Sequence, residues 1–205
     1  MDRKLRRWEI ALMAGVVCTL VLGSWLGREQ EELADRMIRL HVIANSDREE
    51  DQALKLAVRD QVLAQAEKLY PEEATLEEAH RALESHLDLL AEVGQSVVDR
   101  EGYNYPVSVQ MTRCWFPTKM YGDFALPAGN YNALRVVVGE GEGQNWWCVA
   151  FPPLCLGAAS ETVEEATRAG SFTDSQAGLI TRENQGYVLK FKGMELLGQL
   201  QGMFG

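Results

Sequence analysis

From Met37 to Ile43 the chain alternates: Ile38, Leu40 and Val42 fall on one side, Arg39 and His41 on the other, before Asn45-Ser46-Asp47 interrupts the pattern. A period of two over a short run marks a strand. Ser46 with Glu49, and Asp47 with Glu50, each satisfy capping-box spacing, so a helix is expected to start there. Leu54, Val58 and Val62 repeat on one helical face, and Tyr70-Pro71 should stop the helix. Thr75 with Glu78 opens a second helix by the same device. Leu76, Ala79, Leu83, Leu87, Leu90 and Val97 give it an apolar stripe as far as Gly102. From Val107 the period changes to two again, with Val107, Val109 and Met111 alternating with Ser108, Gln110 and Thr112, a strand with one buried face. Leu134 to Val138 and Trp146 to Phe151 flank a polar, glycine-rich stretch and read as a hairpin. Glu161 to Arg168 reads as helical, Gly170 to Thr181 as a flexible Gly/Ser/Thr stretch, and Tyr187 to Leu200 as an amphipathic element of either type.

The order strand, helix, helix, strands predicts an α+β fold. An early strand and two helices pack on a mainly antiparallel sheet with the helices on one face, because a lone strand needs partners for its backbone.

Ahead of this domain, Arg3, Lys4, Arg6 and Arg7 precede an apolar run from Ile10 to Leu26. A basic flank followed by an apolar segment is the pattern of an export signal or signal anchor, with the flank retained in the cytoplasm. The run has 17 residues, near the lower limit for a spanning helix at about 1.5 Å per residue. It contains no Ala-x-Ala cleavage site, and both outcomes, cleaved signal and retained anchor, stay open. The expected organisation is a signal or anchor over 1–27, a single exported domain over 28–160 and a partly helical extension over 161–205.

The chain carries 20 basic and 30 acidic residues, a formal net charge of −10. Four of the cations and two of the anions sit in the leader, so the exported part is more acidic still. Such a surface repels phosphate and excludes nucleic acid as a partner. Cys114, Cys148 and Cys155 lie outside the leader. An exported chain permits a disulfide, and Cys148 with Cys155 is the natural pair because Pro152-Pro153 can turn the chain between them. The alternatives are three free thiols or a zinc site recruiting His41, although neither the cysteine nor the histidine spacings suit metal ligation.

Candidate chemistry is sparse. A catalytic site needs a nucleophile or acid, a base and an orienting group. His41, at a strand end beside Asn45, Ser46 and Asp47, is the one setting that approaches this, as the centre of a cell-envelope hydrolase, yet Ser46 and Asp47 are accounted for as helix caps. The Gly139 to Asn145 stretch alternates Gly with Glu and lacks the lysine of a phosphate loop. No cofactor, metal or small-molecule substrate is expected. Trp115, Tyr121, Trp146, Trp147 and Phe151, with nearby prolines, concentrate rings in the β half. Adjacent Trp146 and Trp147 must face opposite sides of a strand, and such rings are common anchors of protein interfaces.

Four blocks together are specific. Ile38 to Asp47 with Glu50 to Leu56 and Val58-Arg59-Asp60 is the first. Phe116-Pro117-Thr118 with Tyr121-Gly122-Asp123, then Leu126 to Tyr131 with Ala133-Leu134-Arg135, and finally Asn145 to Val149 with Phe151 to Cys155 follow it. This series resembles the stage II sporulation protein R family over roughly residues 36 to 156. The resemblance implies a non-enzymatic signalling protein of endospore-forming bacteria, made in the forespore and exported into the space between forespore and mother cell, either free or anchored through its leader. There it would activate a membrane-embedded aspartic protease that processes pro-sigma-E. The candidate partner-binding positions are His41, Asn45, Asp51, Arg59, Tyr121, Asp123, Trp146 and Trp147, with a hydrolase or a membrane-anchored structural module as the competing readings.

Overall fold

The computed structural model describes residues 8–19, 31–71, 73–121, 124–154, 163, 167 and 170–181. Residues 8–19 are helical, and among the described residues no helix is long and apolar enough to cross a membrane. Positions 20–26 of the apolar run lie outside the described residues.

The expected α+β architecture is present. Strand β1 (Ile38–Ile43) is followed by helices α1 (Glu49–Ala66), α2 (Leu76–Ser85) and α3 (Leu87–Arg100). Strands β2 (Val107–Phe116), β3 (Lys119–Tyr121), β4 (Phe124–Leu126), β5 (Gly129–Val138) and β6 (Asn145–Phe151) come next, then helix α4 (Asp174–Ile180). The main sheet has the order β2-β5-β1-β6, while β3 and β4 form a separate two-stranded hairpin.

The lone early strand finds its partners in the β half, as its backbone requires, but it does so by insertion. β1 runs parallel to β5 and antiparallel to β6, with Leu40 beside Leu134 on one edge and Cys148 on the other. The expected β5–β6 hairpin is therefore absent. All six residues of β1 are buried, and a strand buried on both faces is stable in the middle of a sheet, where both edges are hydrogen-bonded, rather than at its margin.

On one face Ile38, Leu40 and Val42 pack against Leu54, Val58, Val62 and Leu63 of α1 and against Leu83, Leu90 and Val97 of the next two helices. The Thr75–Glu78 capping box forms as its spacing predicts, with both reciprocal bonds present. The expected single helix from Leu76 to Gly102 is instead two helices that meet at His86. The side chains of Ser85 and His86 both donate to the Ala82 carbonyl, at 3.1 and 2.7 Å, and such local bonds compete with the helical ladder.

The opposite face carries a second core of Leu33, Met37, Phe116, Phe124, Leu126, Tyr131 and Val149, joined by Phe172 and Ile180. The stretch expected to be flexible thus contains α4, opened by a Thr173–Gln176 capping box. Val163 and Thr167 are helical, in line with a helix over 161–168. The rest of that segment, and Tyr187 to Leu200, lie outside the described residues.

Candidate functional site

The carboxyl ends of β1 and β5 lie side by side, the position where sheets with parallel strands commonly build sites. The loop leaving β1 is clasped there by the loop leaving β5. Asn45 Oδ1 accepts from the Glu140 N–H at 3.0 Å, the Asn45 carbonyl accepts from Glu142 N–H at 3.2 Å, and the Ala44 carbonyl accepts from Gly143 N–H at 2.9 Å. Gly139 has φ +63°, and a Cβ there would lie 2.1 Å from Asn45 Oδ1. A Cβ on Gly143 would lie 2.3 Å from the Ser46 carbonyl oxygen. The glycines let the loop lie against the Asn45 side chain and the Ser46 backbone, which is the structural reason for a Gly-rich loop that holds no phosphate-loop lysine.

Ser46 and Asp47 do not cap α1. The N-cap is Arg48, without a side-chain cap bond. Ser46 Oγ donates to Asp51 Oδ2, and Asn45 Nδ2 donates to the same oxygen at 3.0 Å. Arg48 pairs with it at 3.2 Å. Burial pushes the Asp51 carboxyl up, but the bonds from Ser46, Asn45 and Arg48 outweigh it and hold the group below the usual carboxylate range. Asp51 is thus the knot that ties the β1 loop to the first turn of α1.

Arg39 is fully buried. Its Nε donates to the Cys148 carbonyl at 2.8 Å and its Nη2 to the Tyr121 hydroxyl at 2.6 Å. The guanidinium carbon lies 4.4 Å from the Phe116 ring centre and 4.9 Å from that of Tyr131. No carboxylate among the described residues pairs with it, and Nη1 has no hydrogen-bond partner. The Tyr121 hydroxyl in turn donates to the Trp147 carbonyl at 3.1 Å, so the guanidinium pins β3 against β6. Burial raises the Tyr121 phenol, with Arg39 opposing, and pushes Tyr131 up to about 12.

His41 stacks on Trp147 with ring centres 3.9 Å apart, and its Nε2–H donates to Asn145 Oδ1 at 2.7 Å. Its Nδ1 is buried without a partner. Burial lowers its pKa against the Asn145 bond, and the Arg135 charge lowers it further. Among the described residues no hydroxyl, thiol or carboxylate hydrogen-bonds this imidazole, and Ser46 bonds to Asp51 rather than to His41.

Between α1, β3 and the first half of β6 opens a cleft of about 670 Å³, lined by Gln52, Ala53, Lys55 and Leu56, by Lys119 to Tyr121, and by Gln144 to Trp147. It gathers Tyr121, Trp146 and Trp147 from the candidate set. Arg59 lies over the Trp146 ring at 4.4 Å, and His41 sits behind Trp147. Asn45 and Asp51 stand behind the cleft, joined to it by Gln52, whose Nε2 donates to the Ser46 carbonyl at 2.9 Å. Asp123 and Cys155 lie outside the described residues. Cys148 is disulfide-bonded, which removes it as a zinc ligand, whereas Cys114 is a half-buried free thiol whose pKa burial raises. Among the described residues no group of His, Cys, Asp or Glu could hold a metal ion.

Lys55 is a further residue of the site. It is 4 % exposed, and its Nζ donates to Gln52 Oε1 at 2.5 Å and to the Gln144 carbonyl at 3.0 Å. Burial and the Arg59 charge lower its pKa, with Asp47 acting against them. The signal was present: Asp51, Lys55 and Arg59 recur every four residues and form a polar row beside the apolar stripe.

Residues 34–161, more than half of the chain, match the family model for stage II sporulation protein R. A curated relative, stage II sporulation protein R of Bacillus subtilis (strain 168), is 38 % identical over 148 residues. That alignment covers 67 % of this chain and 66 % of the relative's length, slightly under two thirds. No solved structure matches. The matched span contains β1, the three helices after it, every strand of the sheet and all of the cleft's lining residues, and on these grounds the chain belongs to the stage II sporulation protein R family.

Proposed function

We propose that this chain is an exported signalling protein of sporulation that acts by binding a membrane-embedded aspartic protease and switching it on, so that pro-sigma-E is processed. The carrying observation is the cleft itself. It assembles aromatic and basic side chains from three elements, and among the described residues no nucleophile and base meet in it, which favours recognition as its chemistry. Family membership supports the sporulation setting. The basic flank and apolar run at the N-terminus support export from the forespore into the space facing the mother cell, with the leader as membrane contact. Activation by binding requires that the domain hold the active arrangement of the protease more tightly than the inactive one, since only differential affinity shifts an equilibrium.

The test is to co-produce this chain, its cognate protease and pro-sigma-E in a bacterium that does not sporulate, with the leader present or deleted. Processing is expected only when all three are made and this chain is exported. Equal processing without it, or with it retained in the cytoplasm, refutes the reading.

A further inference from the structure

We infer that the cleft takes an extended, acidic peptide segment of the partner protein, laid along the outer edge of β6; this rests on the binding reading above and names the ligand of that site. Three observations converge. First, β6 closes the sheet on one side, and among the described residues its outer edge pairs with no strand. A strand edge is a template for an added extended chain. Second, the cleft straddles that edge. Trp146 shares the face of Val42 and meets α1, Trp147 shares the face of His41, and α1 and β3 form walls on either side. The cleft lies at the start of β6, which places the segment there, between Ala53 and Met120.

Third, the charge is inverted relative to the molecule. In a chain of net charge −10, the described residues that line the cleft include Lys55 and Lys119 and no carboxylate, while Arg59, ion-paired with Asp60, lies at its margin on Trp146. Among the described residues the Lys55 ammonium hydrogen-bonds only to neutral oxygens, of Gln52 and Gln144, which occupy two of its three donors. A carboxylate on the incoming segment completes this set. The acidic remainder of the surface disfavours an anionic membrane as the occupant.

The experiment uses the full chain in the three-component processing assay. Reversing the charge of the walls by Lys119→Glu, or adding repulsion at exposed Ala53 by Ala53→Glu, is expected to raise the amount of chain needed for half-maximal processing at least about tenfold. Thermal midpoints should not change, and Ala53→Lys should shift the dose in the opposite direction. A photo-cross-linking side chain at Ala53 should capture an acidic extracytoplasmic stretch of the protease. Glu variants that process like the parent overturn the inference, as does an Ala53→Lys defect equal to Ala53→Glu, or capture of lipid or of the chain itself. Absence of processing by the parent chain refutes the activating role instead, which keeps the two failures distinct.

Discussion

On one face of β1, Ile38, Leu40 and Val42 pack into an all-apolar layer under the helices; on the other, Arg39 and His41 are buried almost as completely among rings and carbonyls. The two layers share a strand but obey different rules. Apolar burial is non-directional and scales with the area removed from water. A buried guanidinium with no carboxylate partner is costly and is tolerated only where carbonyls and aromatic faces substitute for water. Arg39 therefore contributes position more than stability: it holds Tyr121, Tyr121 holds the Trp147 carbonyl, and one wall of the cleft is fixed by that chain of bonds.

The sharpest way to break this contrast is to truncate each layer in turn. Leu40→Ala, at a fully buried position under α1, should lower stability by about 2–5 kcal/mol in denaturant unfolding. Arg39→Met keeps most of the volume and removes the charge, so its stability cost should stay within about 1–2 kcal/mol, since apolar replacement of buried charges is often near neutral. Processing activity should nevertheless fall, because β3 is unhooked. If Arg39→Met unfolds the domain as Leu40→Ala does, the two layers are not distinct.

A smaller effect separates them by pH. The pKa of His41 is lowered from 6.5, so below that pH the unfolded chain binds a proton that the folded chain refuses. Stability contributed by the neutral imidazole is intact above pH 6.5 and declines as the medium is acidified towards the lower folded value. Replacing His41 by Gln should flatten that part of the stability profile, while Leu40→Ala should displace the profile without flattening it.

The smallest effect expected is at Asp47. It caps nothing, and Asp47→Ala should leave the thermal midpoint almost unchanged, within about 0.5 kcal/mol, as for other exposed positions. A loss near 1 kcal/mol would restore the capping role.

The same contrast explains what the sequence made legible. β1, α1 and β2 announced themselves by period because each has a face whose burial is uniform along its length. The Thr75 box was legible because its reciprocal bonds are local. Ser46 matched the same spacing and was misread, since Glu49, Glu50 and Asp51 overlap as possible partners; the clasp from residues 139–143 draws the loop to Asp51. The β5–β6 hairpin failed for a related reason. Short separation suggests direct pairing, whereas β1, about a hundred residues earlier, claims both edges. β3 and β4, three residues each, are too short to carry a period. At the site, Trp146, Trp147 and Tyr121 were visible as rings in the matching blocks. The spacing of Asp51, Lys55 and Arg59 is legible in the sequence, but the burial of Lys55 is not, because burial of a cation is decided by what packs above it.

The proposal that this chain acts as a bound ligand of the protease, making and breaking no bond itself, is open to one direct measurement. It is tested most directly by titrating the full chain against a fixed amount of protease in membrane vesicles and following pro-sigma-E cleavage. Saturation is expected at a fixed molar ratio of chain to protease, with activity lost when the chain is removed. Full activation by a small fraction of an equivalent, persisting after removal, would contradict it.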